Sequence, residues 1–219
     1  MKAFILAAGR GERLRPRSDH TPKPLLPLAG EPLIVHHIKR LANAGITDIV
    51  INVCYLADHI KKALGNGKTW QVKLTYSYEP TALESGGGIV QALPLLGKTP
   101  FLVISADIFT DYPFAQLLQP LKEKQIAHLV LSTNPTCHRD FHLENGWLYN
   151  DGHPKYTYGN IGCYHPDLFA GCTPSIFPLS QLLRPAIHAK KITGELYAGC
   201  WENITSVAQY DALKQQYGQ

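Results

Sequence analysis

Residues 2–28 read K-A-F-I-L-A-A-G-R-G-E-R-L-R-P-R-S-D-H-T-P-K-P-L-L-P-L. The run Lys2–Ala7 is apolar without alternation and ends at Gly9, as a strand buried on both faces does. Gly9 and Gly11 follow it directly, at the place where an open α/β sheet binds its ligand. Glycines there let backbone N–H groups approach phosphate oxygens. Arg10, Arg13, Arg15, Arg17 and Lys23 gather positive charge on the same loop. A triphosphate carries about four negative charges, so several cationic partners suit it. Pro22 and Pro24 stiffen the backbone around Lys23.

Working outward, helix-like and strand-like segments alternate. Leu33, Ile34, His37, Ile38 and Leu41 recur at helical spacing, with Pro32 suited to the first turn and Gly45 to the stop. Asp48–Asn52 predicts a strand, Leu56, Ile60 and Leu64 a short helix, and Val72–Tyr78 a third strand. Ile89–Leu95 reads as helix, Phe101–Ser105 as a fourth strand, Phe114–Leu121 as helix and Leu129–Ser132 as strand. Past about Asn134 the rhythm changes. Phe141–Glu144 and Trp147–Tyr149 flank Asn145-Gly146, a two-residue hairpin signal. Ile161–Tyr164 is another strand. Leu179–Ala189 is helical with a kink or break expected at Pro185, and Ser206–Gln216 is a closing helix with Thr205 as its cap. The pattern predicts an α/β fold, Rossmann-like and three-layered, with a mostly parallel mixed sheet. One domain is expected: a core of about residues 1–134 and 201–219, and a strand-rich lobe of about 135–200.

Composition agrees. The chain has 219 residues, 45% hydrophobic and 17% charged, with a net charge of +4. That suits a globular protein with one anion-binding pocket better than a nucleic-acid surface. No apolar stretch approaches the ~20 residues of a membrane span. The apolar start precedes its charges, the wrong order for an export signal. Five cysteines (Cys54, Cys137, Cys163, Cys172, Cys200) form no C-x-x-C pair, so reduced, small buried thiols in the cytoplasm are expected.

Two common phosphate motifs are absent. The loop Gly9-Arg10-Gly11-Glu12-Arg13-Leu14 lacks the third glycine of G-x-G-x-x-G, and the lysine arrives in Thr21-Pro22-Lys23-Pro24, not in a P-loop. Asp107 follows the apolar strand Phe101–Ser105, so its carboxylate belongs at the binding edge of the sheet, where Mg²⁺ takes one or two carboxylates plus phosphates. His138 and His142 stand four apart beside a strand and without H-E-x-x-H, which favours packed or solvated histidines over zinc. Ser85, Ser105 and Ser180 sit in no nucleophile elbow.

The composite L-A-A-G-x-G-x-R-L-x-P with T-P-K-P-L-L-P-L-A-G-E-P-L-I resembles the signature of the sugar-1-phosphate nucleotidylyltransferases. Glu84–Gly88, Ser105–Asp107 and Gly159–Pro166 extend the likeness over most of the chain. The L-E-S-G-G-G-I run and Arg139-Asp140-Phe141 look most like the N-acetylmuramate α-1-phosphate uridylyltransferases, with mannose-1-phosphate guanylyltransferases close behind. The resemblance implies attack of a sugar 1-phosphate on an NTP, giving an NDP-sugar and pyrophosphate, with UTP and N-acetylmuramic acid 1-phosphate as substrates and Mg²⁺ as cofactor. It implies that Gly9 and Gly11 cradle the nucleotide, Arg13 neutralises the β- and γ-phosphates, and Lys23 holds the α-phosphate or the sugar phosphate. It implies nucleobase and ribose contacts from Ala8, Glu79, Ser85, Gly86 and Gly87, and sugar contacts from Asp140, Asn160 and Glu195. Metal ligands would be Asp107 and Asn203. The family carries an aspartate in a W-x-D-V-G-T-like segment, and Trp201-Glu202-Asn203-Ile204-Thr205-Ser206 puts a neutral amide there. That departure keeps open a nucleotide-sugar-binding regulatory protein without catalysis. Oligomeric state is left open, and a homo-oligomer is compatible with the sequence.

Overall fold

The computed structural model describes residues 1–134 and 138–218; Cys137, read above as a reduced thiol, lies outside the described residues. In chain order the elements are β1 (Lys2–Leu6), β2 (Pro27–Leu28), β3 (Glu31–Pro32), α1 (Leu33–Asn43), β4 (Asp48–Val53), α2 (Ala57–Leu64), β5 (Lys73–Tyr78), α3 (Glu84–Leu96), β6 (Phe101–Ser105) and β7 (Ile108–Thr110). There follow β8 (Ala127–Ser132), β9 (Phe141–Glu144), β10 (Trp147–Tyr149), β11 (Lys155–Tyr164), α4 (Ser180–His188), β12 (Ile192–Tyr197), β13 (Trp201–Asn203) and α5 (Val207–Tyr217). No helix among the described residues is long and apolar enough to cross a membrane.

Nine strands form one sheet in the order β5-β4-β1-β6-β11-β8-β12-β10-β9. β5, β4, β1 and β6 pair in parallel, and β8 pairs in parallel with β12. β11 runs antiparallel between β6 and β8. The strand-rich segment therefore does not stand apart as a separate sheet: its longest strand lies in the middle of the main one. The apolar faces of α1 and α2 bury one side of the sheet, with Ile34, Ile38, Leu41 and Ile60 among Ile5, Ile51 and Ile104. α3 and α4 cover the other, with Ile89, Val90 and Leu183 against Phe4, Val103 and Leu129. The result is the expected α/β/α sandwich. A satellite core packs α5 against the first loop through Leu14, Leu28, Ile204 and Tyr210.

Several local expectations shift. Phe114–Leu118 is only a short 3₁₀ turn, because Pro113 precedes it and Pro120 follows closely. Pro185 does not divide α4, which stays continuous from Ser180 to His188. The last helix is capped by Ser206, whose hydroxyl accepts the Gln209 N–H at 3.2 Å, while Thr205 uses its own N–H on the Gln209 side chain at 2.9 Å. α3 starts five residues before Ile89 and takes in Gly86, Gly87 and Gly88.

Glycine inside a helix costs roughly 1 kcal/mol relative to alanine, so packing must require it. A Cβ on Gly87 would lie 1.8 Å from the Ser175 carbonyl oxygen, and one on Gly88 would lie 2.6 Å from Glu79 Oε1. Gly87→Ala is therefore expected to lower stability by about 1–3 kcal/mol in urea unfolding. Gly9→Ala, where nothing lies within 4 Å of the added carbon, should leave the unfolding midpoint unchanged.

Candidate active site

The parallel strands β1, β4, β5 and β6 deliver their C-terminal ends to one edge, and a cleft of about 610 Å³ opens there. Ala8, Gly9, Gly11, Arg13 and Lys23 line it from the first loop, Glu79 and Ser85 from the end of β5 and the start of α3, and Asp107 from the end of β6. Thr205 approaches from the C-terminal segment.

Lys23 opens a 3₁₀ turn between Pro22 and Pro24. Gly11, at φ +68°, leaves room for the lysine stem: a Cβ there would meet Lys23 Cβ at 3.1 Å. Lys23 is 8% exposed, and its ammonium donates to Asp107 Oδ2 at 2.6 Å. Ser105 Oγ donates to the other carboxylate oxygen at 2.6 Å. Burial pushes the Asp107 carboxyl up, but the Lys23 charge and the hydrogen bonds from Lys23 and Ser105 outweigh it and hold the group below its usual range.

The five cations of the loop are not equivalent. Arg10 lies 3.8 Å from Glu12 and over the Tyr55 ring. Arg15 pairs with Asp19 and Arg17 with Asp211. Among the described residues Arg13 enters no ion pair, so Arg13 and Lys23 are the cations turned to the cleft. The cluster seen in the sequence is thus reduced to two by carboxylates, Glu12 and Asp19 within the same loop and Asp211 from α5.

Asn52 was not anticipated. Apart from Asp48 at the start of the strand it is the polar residue of β4, and it is buried. Its Oδ1 accepts the Ala7 N–H at 2.6 Å, and its Nδ2 donates to Glu79 Oε1 at 2.6 Å. Glu79 Oε2 accepts the Leu83 N–H at 2.9 Å. Burial pushes the Glu79 carboxyl up, while the Leu83 N–H and the Asn52 amide pull it partly back.

Other residues singled out in the sequence lie elsewhere. Gly86 and Gly87 are set back from the cleft, and both N–H groups donate to the Phe177 carbonyl at 3.0 and 3.2 Å. Ser85 Oγ accepts the Leu179 N–H at 2.9 Å. The segment around Ser175–Leu179 is thereby stitched to the start of α3, which is what the glycines make room for. Asp140 accepts the Tyr158 N–H at 2.8 Å. Asn160, at φ +54°, precedes the Ile161–Ile104 pairing and so stands at the same sheet edge as the cleft. Glu195 instead lines a second hollow of about 430 Å³, between β12, the Asn145-Gly146 turn and residues 116–125. There His128 and the Tyr112 hydroxyl hold its carboxyl below the usual range against burial. Sequence alone could not show this, since β12 was not among the expected strands.

Asn203 pairs in register with Ile108, next to Asp107, and the Ile204 N–H donates to the Asp107 carbonyl at 3.0 Å. The Asn203 Oδ1 is buried without a hydrogen-bond partner, an orphan acceptor of the kind that a cation satisfies. The Asp107 carboxylate accepts from Lys23, from Ser105 and from its own backbone N–H, which leaves it a lone pair for a cation. No group of three or more His, Cys, Asp and Glu side chains able to hold a metal exists among the described residues. One carboxylate and one amide oxygen fit Mg²⁺ only in the mode where substrate phosphates and water complete the shell.

The family model for nucleotidyl transferases matches residues 2–140. The chain is 43% identical to the N-acetylmuramate alpha-1-phosphate uridylyltransferase of Neisseria meningitidis serogroup B, covering 95% of each chain. It is 41% identical to the mannose-1-phosphate guanyltransferase of Aspergillus oryzae over 54% of this chain and 34% of that one. A structure assigned as a glucose-1-phosphate thymidylyltransferase of Bacillus anthracis superimposes with a TM-score of 0.87 at 20% identity, over 100% of this chain and 96% of that one. At that identity the likeness concerns the fold.

Asp107→Asn leaves a mostly buried ammonium without its counter-charge. The expected loss is about 1–2 kcal/mol, between the exposed and fully buried limits. Because the folded-state pKa is depressed, the pair's contribution is present above the unfolded carboxyl value of about 4 and fades as pH falls through the lower folded value. Thermal unfolding across pH should show the native and variant proteins converging on acidification.

Proposed function

Because the chain belongs to the nucleotidyl transferase family, we propose that it transfers a nucleotidyl group from an NTP to a sugar 1-phosphate and releases pyrophosphate. The substrate pair is UTP and N-acetylmuramic acid 1-phosphate, and the product UDP-N-acetylmuramic acid serves cell-wall sugar recycling. The end-to-end likeness to the uridylyltransferase supports this pair over GTP and mannose 1-phosphate, whose enzymes match only part of the chain.

The observation that carries the reading is the convergence of Gly9, Arg13 and the Lys23–Asp107 pair on one cleft at the C-terminal edge of the parallel strands. An oxygen of the sugar phosphate attacks the α-phosphorus in line. The bond from that phosphorus to the bridging oxygen breaks, and its electron pair leaves with pyrophosphate. The attacking oxygen is already anionic, so no general base is needed. Positioning and charge neutralisation supply the rate. The space at Gly9 lets backbone N–H groups come close to phosphate oxygens. Arg13 at the rim neutralises the departing β- and γ-phosphates. Lys23 faces the α-phosphate or the incoming phosphate, and Asp107 orients its ammonium. Asn160 and Asp140 face the sugar. Asp107 and Asn203 would hold Mg²⁺, which when bound offsets negative charge on the phosphate oxygens.

Asn203 supplies a lone pair and no charge, and that neutrality favours the competing reading of a regulatory module. Turnover decides between the two. Pyrophosphate release should be fastest with UTP and N-acetylmuramic acid 1-phosphate in a panel of NTPs and sugar 1-phosphates. Lys23→Ala should lower kcat by about 10²–10³-fold with the fold retained by circular dichroism; a near-native rate contradicts the assignment.

A further inference from the structure

Two backbone segments form facing walls of the nucleotide cleft. One is the end of β1 with Ala7, Ala8 and Gly9; the other runs from Glu79 to Ser85. The β1–β4 ladder ends at the Ile5–Ile51 pairing, and the Ala7 N–H is taken by a side chain instead. A single chain of hydrogen bonds, buried at Asn52 and half-buried at Leu83, then links the walls: Ala7 N–H to Asn52 Oδ1, Asn52 Nδ2–H to Glu79 Oε1, and Leu83 N–H to Glu79 Oε2. Asn52 is 2% exposed and Glu79 1%. α3 presses on the pair at Gly88, where a Cβ would lie 2.6 Å from Glu79 Oε1 and 2.9 Å from Asn52 Nδ2.

We propose that Asn52 and Glu79 are positioning residues that set the spacing between the phosphate-binding and base-facing walls of the cleft. The proposal rests on the nucleotidyl-transfer reading for its kinetic readout. Its logic is one of donors and acceptors. Two N–H groups, of buried Ala7 and half-buried Leu83, each take an acceptor. A carboxylate accepts one of them. The amide accepts the other and donates across the gap. No other pairing of an acceptor-only head with an amide preserves all three bonds, except the same pair exchanged. The Glu79 carboxylate has no cationic partner among the described residues, and it stands in a cleft meant for polyanions. It is therefore retained for its acceptor geometry, not for its charge.

The exchange supplies the test. Asn52→Asp alone sets two carboxylates against each other, and Glu79→Gln alone leaves one N–H facing another donor. Each should raise the KM for UTP about 10-fold or more, with kcat and the KM for the sugar phosphate within about 3-fold of native. In the Asn52→Asp/Glu79→Gln double variant all three bonds are restored, the two backbone N–H groups still donating and only the bond between residues 52 and 79 reversed, with the net charge unchanged, so the KM for UTP should return to within about 3-fold of native. A folded double variant no better than the single ones overturns the proposal, as do single variants with a native KM for UTP. So does a proportional change in kcat and both KM values, which a purely structural role would give. If a single variant fails to fold, the double variant decides: native-like UTP binding by calorimetry supports the relay, and an unfolded or UTP-blind protein overturns it. A native chain that binds UTP without turnover overturns the transfer reading alone, and the relay is then read in UTP affinity. A native chain that binds no NTP overturns both.

Discussion

A mostly buried ammonium facing a carboxylate is the constraint around which the cleft is organised. Lys23 and Asp107 come from segments 84 residues apart. The loss of Asp107 would leave the Lys23 ammonium, mostly out of water, without its counter-charge. Keeping the pair together forces the proline-flanked turn, Gly11 and the end of β6 into one corner. That corner is also where a phosphate chain would enter. The pairing leaves the lysine charged and aimed, while Ser105 keeps the carboxylate from turning away. The same carboxylate keeps a lone pair and stands in the chain next to the residue that pairs with Asn203, whose Oδ1 is buried without a partner.

The glycines divide their work by neighbour. Gly9 lines the cleft with open space around it, so no neighbour in the protein requires its missing side chain. Gly87 and Gly88 are crowded by the protein itself, one by the Ser175 carbonyl and the other by Glu79. Their absent side chains make room for backbone and for the buried amide–carboxylate relay. Two runs that look alike in the sequence thus have opposite meanings, because the first ends a strand at the edge of the sheet and the second lies inside a helix.

The fold was legible wherever it depended on local pattern. The unbroken apolar runs of β1 and β6, the helical spacing from Leu33 to Leu41 and the Asn145-Gly146 turn each lie within a few residues of chain. The cleft was legible in part. Gly9, Gly11, Arg13, Lys23, Glu79 and Asp107 meet as the motifs imply. What did not show was who else claims these groups. Arg15 and Arg17 are paired with Asp19 and Asp211, and Gly86 and Gly87 give their N–H groups to Phe177. Glu195 belongs to a different hollow altogether. Asn52 stayed hidden because a single amide among the buried apolar residues of a strand carries no periodic mark.

By itself the sequence determined the alternation of strands and helices, the position of the glycine- and arginine-rich loop and the chemistry of its charges. These follow from periodicity, glycine and proline placement, and residue type, all of them local. Tertiary structure alone decided that β11 lies between β6 and β8, that Asn52 closes on Ala7 across 45 residues, and that Lys23 meets Asp107 across 84. Such partners are chosen by strand adjacency and burial. A hydrogen bond between distant segments leaves no spacing in the chain from which it could be read.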